Sequence, residues 1–285
     1  MKSPLLFPLP VLLFAVAAFV ACERPAVPTD ELLPTDSGLT YRLRLPTAER
    51  TLVALTYDDA LYTQRTVALP ALRRYCLPAT FFLNAVDNRL AVLDWREAAL
   101  AGHELANHSL WHPCTADIGW PEFLSTEAYD PQRFLAELAT QHALIGHIDG
   151  KPDDARTYAH PCNDHFIGSE PRISTLPLLA DSPLVRYGRS GSSEPSSSIR
   201  PGEAYDPMAL PSWTVPERST GAELIAFAEQ AHDEGGAAVY TFHGIGGDWI
   251  VLGEDEHEEL LDYLMTHSDR FEVVTFGELA ARMVE

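Results

Sequence analysis

The sequence predicts an α/β fold, a distorted (β/α) barrel of about seven strands. Three observations carry that expectation. Short runs rich in β-branched and aromatic residues alternate with longer segments whose apolar residues recur at helical spacing, the pattern of a parallel sheet with crossover helices. Acids, histidines and a cysteine stand at the ends of several of those runs, as at the C-terminal rim of a barrel. The chain has 285 residues, 46% of them hydrophobic, enough for the roughly 200–250 residues such a barrel takes as one domain.

The strands are expected in order. TLVALTY (51–57) is an apolar run that ends abruptly in two acids, Asp58 and Asp59. ATFFLN (79–84), HELANHS (103–109), RTYAHP (156–161), PLVRYG (183–188), AAVYTFHG (237–244) and FEVVTF (271–276) supply the other six. Helical spacing marks TVALPALRRYC (66–76), DWREAALAG (94–102), PQRFLAELATQHALIGHI (131–148), GAELIAFAEQAHDEG (221–235) and EDEHEELLDYLMTH (254–267). In the third of these, Phe134, Leu135, Leu138, Ala139 and His142 fall along one stripe. RSGSSEPSSSIRPGEAYDP (189–207) has neither period and reads as a long surface loop. An open doubly wound sheet is the alternative arrangement, and it too gathers chemistry at the C-terminal strand ends.

Residues 1–21 read as a signal peptide. Lys2 precedes an apolar stretch, and small residues then lead to Cys22. FVAC resembles a bacterial lipobox, which makes Cys22 a candidate lipidation site; an ordinary signal peptide cut near Ala21 is the alternative. Residues 22–40, rich in Pro, Thr and acids, read as a linker, and 41–285 as the folded domain. The expected location is outside the cytoplasm, in the periplasm or on the cell surface, held by a lipid anchor. A net charge of −21 with only two lysines, Lys2 and Lys151, repels nucleic acid and anionic membrane surfaces. No nucleic-acid partner is expected, and membrane contact only through the anchor. With Cys22 set aside, Cys76, Cys114 and Cys162 allow one disulfide, and Cys76, in an apolar helical stretch, reads as a buried thiol.

Polar residues gather at the strand ends: Asp58 and Asp59, then His103, His108 and His112, then His160 and Cys162, then His243. His108 and His112 are four apart, so on a helix both rings would share one face and one metal. Two imidazoles and a carboxylate leave open coordination positions, as catalytic metals require. Asp59 could be that carboxylate, leaving Asp58 to accept a proton from a water activated there. A strand end passing into a loop escapes strict alternation, so both acids could face the rim.

These residues carry a resemblance. Thr56, Tyr57, Asp58, Asp59 and Ala60 match a T-F-D-D-G motif, and His108, Ser109, Leu110, Trp111 and His112 match H-S/T-x-x-H. TFHGI, with His243 and Ile245, matches a histidine after a late apolar strand. Over roughly residues 50 to 280 the chain resembles the NodB-like polysaccharide deacetylases, carbohydrate esterase family four. The resemblance implies a distorted (β/α) barrel and a metal-dependent hydrolase that removes N- or O-linked acetyl groups from a carbohydrate polymer or oligosaccharide. It implies that Asp59, His108 and His112 hold a divalent metal, Zn²⁺ first, with Co²⁺, Ni²⁺ or Mn²⁺ conceivable. Asp58 would be the general base and His243 the general acid, and an acetylated glycan would be the partner.

The third motif departs from the family's R-x-P-Y/W. YAHPCN puts Ala159 at the Arg position and Cys162 at the aromatic one. The Cys162 backbone N–H would still serve a developing oxyanion. Arg189 and His160 are the candidates to replace the missing Arg. Ala60 stands where the family usually has Gly. Cys114 and Cys162 either pair as a disulfide or stand as thiols near the metal. Trp249, Trp213 and Trp111 are candidate rings for sugar stacking, with Ile245 beside them. His165 and Asp164 lie near the third motif, and His257, on an acidic helix, reads as a surface or rim residue. Two other readings stay open: a catalytically silent glycan-binding lipoprotein on the same scaffold, and a metal-dependent amidohydrolase of small C–N substrates.

Overall fold

A computed structural model describes residues 41–42, 50–86, 89–119, 121–195 and 198–283. The expected signal peptide, Cys22 and the linker lie outside them. No helix among the described residues is long and apolar enough to cross a membrane.

Eight strands make the main sheet: β1 (Thr51–Asp58), β2 (Thr80–Leu83), β3 (Glu104–Asn107), β4 (Arg156–Ala159), β5 (Val185–Ser192), β6 (Leu210–Thr214), β7 (Ala237–Phe242) and β8 (Phe271–Val274). All their pairings are parallel. β1 through β7 pair in chain order, and β7 returns to β1 from Ala237↔Leu52 to Phe242↔Tyr57, which closes a seven-stranded ring. β2 meets only the upper end of β1, from Thr56↔Thr80 to Asp58↔Phe82. The lower end, Thr51 to Ala54, pairs instead with β8. The ring is splayed at this seam and an eighth strand fills the gap, which is the distortion the fold class anticipates.

The helices are α1 (Leu69–Tyr75), α2 (Arg89–Leu100), α3 (Pro131–Asp149), α4 (Leu176–Ala180), α5 (Gly221–Asp233), α6 (Glu254–Thr266) and α7 (Phe276–Met283). Every residue of β1 is buried, because a barrel strand is covered on both faces. Val53, Leu55 and Tyr57 pack outward among Leu72, Trp95, Phe227 and Leu261. Leu52 and Ala54 point inward with Phe82, Ala106, Ala159, Leu210 and Val239, and α7 lays Phe276, Leu279, Ala280 and Met283 on the same cluster. Each large apolar side chain buried this way contributes roughly 1.5–3 kcal/mol.

Several expectations are corrected. β6 carries Pro211 and two hydroxyl residues, a composition that hides a strand, yet it completes the ring. β8, expected as a ring member, is the gap filler. β5 runs on to Ser192, so Arg189–Ser192 are strand and not loop. Its glycines serve a close approach: a Cβ on Gly188 would lie 2.0 Å from the Met208 carbonyl oxygen. The buried face of α3 is Phe134, Glu137, Leu138, Gln141, His142 and Ile145, while Leu135 and Ala139 are exposed. Cys76 is exposed, at the left-handed C-cap of α1 (φ 52°), and it is disulfide-bonded, so it is neither buried nor a thiol. His257 is fully buried, 2.7 Å from the Tyr57 hydroxyl, because it shares the inward face of the acidic helix with Leu260, Leu261 and Leu264.

Candidate active site

Alternation along β1 points Leu52, Ala54, Thr56 and Asp58 into the barrel. Asp59 would then face outward. Its backbone is left-handed instead, φ 80°, and Ala60 follows at φ 54°. That break in the strand turns the second carboxylate back to the rim. His108 Nε2 ends 3.7 Å from Asp58 Oδ2 and 3.6 Å from Asp59 Oδ1, and His112 Nε2 lies 3.3 Å from the same Asp59 oxygen. Asn84, at the end of β2, donates to Asp59 Oδ1 at 3.4 Å.

The two histidines do not sit on a helix. The segment after β3 is a turn with Ser109 at φ 62° and His112 at φ 51°. The rings still meet edge to face with centroids 4.7 Å apart. His108 Nδ1 donates to the Ala159 carbonyl at 3.0 Å. A carbonyl only accepts, so this bond leaves the lone pair on Nε2, facing the acids.

Arg189 meets Asp58 from across the lumen. Its Nη2 donates to Asp58 Oδ2 at 2.5 Å. Nη1 donates to Ser212 Oγ at 3.0 Å and to Thr241 Oγ1, and the guanidinium lies over the Phe82 ring, 4.8 Å from its centroid. Ser212 and Thr241 occupy inward positions of β6 and β7 by the same alternation. Asp58 Oδ1 is buried with no hydrogen-bond partner among the described residues. His160, the other candidate, spends Nε2 on the Met208 carbonyl at 2.7 Å and stacks near His165, whose Nε2 lies 2.9 Å from Ser190 Oγ.

His243 follows β7, with Nε2 3.9 Å from Asp59 Oδ2. Gln64, which the motifs did not single out, donates through Nε2 to the carbonyls of both Asp58 and His243. Cys162 is bonded to Cys114. The disulfide ties the loop of His112 to the loop after β4, and it leaves His112, Cys114 and Cys162 unable to act as a thiolate ligand group although their donor atoms are close. Trp249 is exposed (64%) on the loop after His243, which a Gly244 N–H to Trp249 carbonyl bond of 2.8 Å folds back on itself. Trp111 is exposed as well, between the two histidines. Trp213 is in the core against Phe227 and Tyr240, so its faces are covered. Ile245 is fully buried in the outer cluster.

Burial separates the two acids electrostatically. Burial alone would raise the Asp58 carboxyl, but the Arg189 charge and hydrogen bond hold it below the usual range. Asp59 has no such partner, and burial pushes it up to about 6. Burial drives His108 down to about 3 and lowers His112, so both rings are neutral and able to donate lone pairs. Asp59, His108 and His112 offer one oxygen and two nitrogens, all within 4.8 Å of one another. A single ion with ligand bonds of about 2.0–2.2 Å spans donor pairs roughly 3–4 Å apart, so the set fits a divalent metal with N/O preference.

The rim of this parallel (β/α) barrel thus carries one His-His-Asp donor set and a second, separately held acid. Residues 46–165 match the family model described as Polysaccharide deacetylase. That match shows the resemblance drawn from the two motifs. Among solved structures, the Xyl-CE4 domain of a multidomain xylanase from the hindgut metagenome of Trinervitermes trinervoides is 18% identical, over 82% of this chain and 91% of that one, with a TM-score of 0.50. The peptidoglycan deacetylase PdaC from Bacillus subtilis is 16% identical over 82% of this chain and 91% of that one, also at 0.50. A mutant of BA3943 from Bacillus anthracis, a CE4 family pseudoenzyme with restored enzymatic activity, is 15% identical over 81% of this chain and 68% of that one, at 0.50. At these identities the likeness shows the fold. No curated protein sequence matches the chain.

Proposed function

We propose that the chain is a metal-dependent deacetylase that hydrolyses N- or O-acetyl groups on a carbohydrate polymer or oligosaccharide. One observation carries this reading: Asp58 is split between its two oxygens. Oδ2 is fixed by a buried Arg189 and lies 3.7 Å from His108 Nε2, and Oδ1 is buried without a partner among the described residues. A carboxylate held through one oxygen keeps the other free to take a proton.

Asp59, His108 and His112 would hold the ion, with Zn²⁺ favoured and Co²⁺, Ni²⁺ or Mn²⁺ able to bind the same donors. When bound, the ion supplies Lewis acidity, lowering the pKa of a water and polarising the acetyl carbonyl. Asp58 Oδ1 takes the proton of the attacking water. The Cys162 backbone N–H donates to the oxygen on which charge develops. His243 gives a proton to the departing amine or alkoxide, so acetate and the free amino or hydroxyl group leave. The exposed Trp249 ring offers a face to a sugar, and Trp111 lies between the two metal histidines. The Cys114–Cys162 disulfide supports an oxidising compartment outside the cytoplasm, in keeping with an exported protein.

The test is acetate release from acetylated xylan, chitin oligomers and peptidoglycan, with metal stripped and then restored. The expected result is release that metal restores, and loss of about 10²–10⁴-fold in Asp58→Asn with metal binding kept. Undiminished activity in Asp58→Asn overturns the assignment. Glycan binding without release from any substrate favours the silent binding protein, and turnover only of small amides favours the amidohydrolase.

A further inference from the structure

The His108–His112 turn lacks the hydrogen bonds a helix would give it, and something else must hold two ligands in register. Glu137 does so from behind. It is a carboxylate in the middle of α3, yet it is buried at 8% exposure. Its Oε1 accepts from the backbone N–H of Leu110 at 3.1 Å, from that of Trp111 at 2.9 Å and from the Ser109 hydroxyl. Its Oε2 accepts from the Tyr129 hydroxyl at 2.5 Å. Three of these four donors are the three residues between the ligands. Successive N–H groups in a turn with left-handed residues form a concave anion site, and here the anion belongs to the protein. Charge-assisted bonds of this kind are roughly twice as strong as neutral ones.

The neighbouring contacts point the same way. Asn107 Oδ1 accepts from the Ser109 N–H at 2.9 Å, and Asn107 Nδ2 donates to the Leu138 carbonyl at 3.1 Å. Gln141, one turn along α3 from Glu137, donates to the Leu83 and Asn84 carbonyls at 2.6 and 2.9 Å. The inner face of α3 thus grips the end of β2 and the end of β3 at once.

We infer that Glu137 is a positioning residue for the metal: its carboxylate organises the Ser109–Trp111 turn so that His108 and His112 converge on Asp59. The inference rests on the reading of those three residues as the metal set. It predicts a fault in metal affinity and not in substrate binding. Neutralising Glu137 takes the charge from the bonds that its Oε1 accepts and turns an NH2 toward the Tyr129 hydroxyl, which weakens the turn without emptying the space.

Metal-stripped wild type, Glu137→Gln and Ser109→Ala are titrated with Zn²⁺ and Co²⁺ by calorimetry, and exchange of the Leu110 and Trp111 amides is followed in the same metal-free proteins. The expected result is affinity weakened about tenfold or more in Glu137→Gln and by a smaller factor in Ser109→Ala, with faster exchange at both amides. Activity of Glu137→Gln returns in excess metal at unchanged KM. Should Glu137→Gln not fold, Ser109→Ala carries the decision, since it removes one donor from the same carboxylate. Wild-type affinity and exchange in the folded variants overturn the role of Glu137 alone. No metal binding by the wild type overturns the metal reading, and this inference with it.

Discussion

Arg189 on β5 holds Asp58 on β1 through a 2.5 Å bond across the barrel lumen, 131 residues away in the chain. The acid beside the candidate metal set is therefore tuned from β5 and not from the end of β4, where Ala159 stands at the position at which the family motif carries its Arg. Arg189 is itself anchored by Ser212, Thr241 and the face of Phe82, so it cannot follow Asp58 if the acid moves.

Arg189→Met is expected to abolish most activity and to destabilise the fold by about 3–5 kcal/mol, because it leaves a buried charge unpaired. Asp58 is depressed in the fold, so its contribution to stability is present above its unfolded pKa and lost as pH falls through the folded one. Without Arg189 that folded pKa rises. The acid limb of the kcat/KM profile should move to higher pH. An unmoved limb with normal folding would show that Asp58 is not the titrating base.

Metal binding should fail on the acid side because of Asp59. His108 lies near 3 and His112 is also lowered, while Asp59 is raised to about 6. Asp59 is thus the ligand that still carries a proton when the histidines do not. Log affinity for Zn²⁺ should be flat above pH 6 and fall by about one unit per pH unit below it, one proton being displaced per ion. A slope near two, or a break near 7, would assign the limit to the histidines.

The Cys114–Cys162 bond closes a sequence separation of 48 residues beside His112. Replacing both cysteines with Ser is expected to lower stability by about 2–4 kcal/mol and to weaken metal binding. Peptide mass mapping with and without reductant checks the pairing, and denaturant titration checks the cost. A variant as stable as the parent would leave the bond without a mechanical role.

Ala60 sits at φ 54°, where a Cβ is strained and Gly is not. Ala60→Gly should be neutral or stabilising by up to about 1 kcal/mol, and Ala60→Val should be clearly destabilising. Thermal unfolding of the three proteins decides it; the reverse order would mean that packing, not backbone, governs the position.

Much of this was legible in the chain. Apolar runs marked seven of the eight main strands, and the order of acids and histidines marked the rim. Two kinds of residue were not. β6 escaped because Pro211 and Ser212 carry no strand signal, although its neighbours supply the ladder. Glu137, Gln64, Ser212 and Thr241 escaped because a polar residue inside an amphipathic helix or strand reads as solvated until its partners are known. Arg189 stood between: named as a candidate from the missing motif residue, but read as the start of a loop since Gly and Ser obscure the strand that points it inward. The reading of His108 and His112 as an i, i+4 helical pair gave the right neighbours by the wrong geometry.

The seam on β1 has a consequence for the order in which the molecule can be assembled. β1 is among the first described elements of the chain, yet its lower half is flanked by strands that come more than 180 residues later, Ala237 against Leu52 and Phe271 against Thr51. Pairings so distant in sequence form late, because the intervening chain must first be ordered. A polypeptide threaded out of the cell from its N-terminus would bring Asp58 and Asp59 across long before their barrel exists. Until β7 and β8 arrive, the two acids, the turn of His108 and His112, and Arg189 remain parts of an open sheet. On the proposed reading, metal capture would then be one of the closing events of folding.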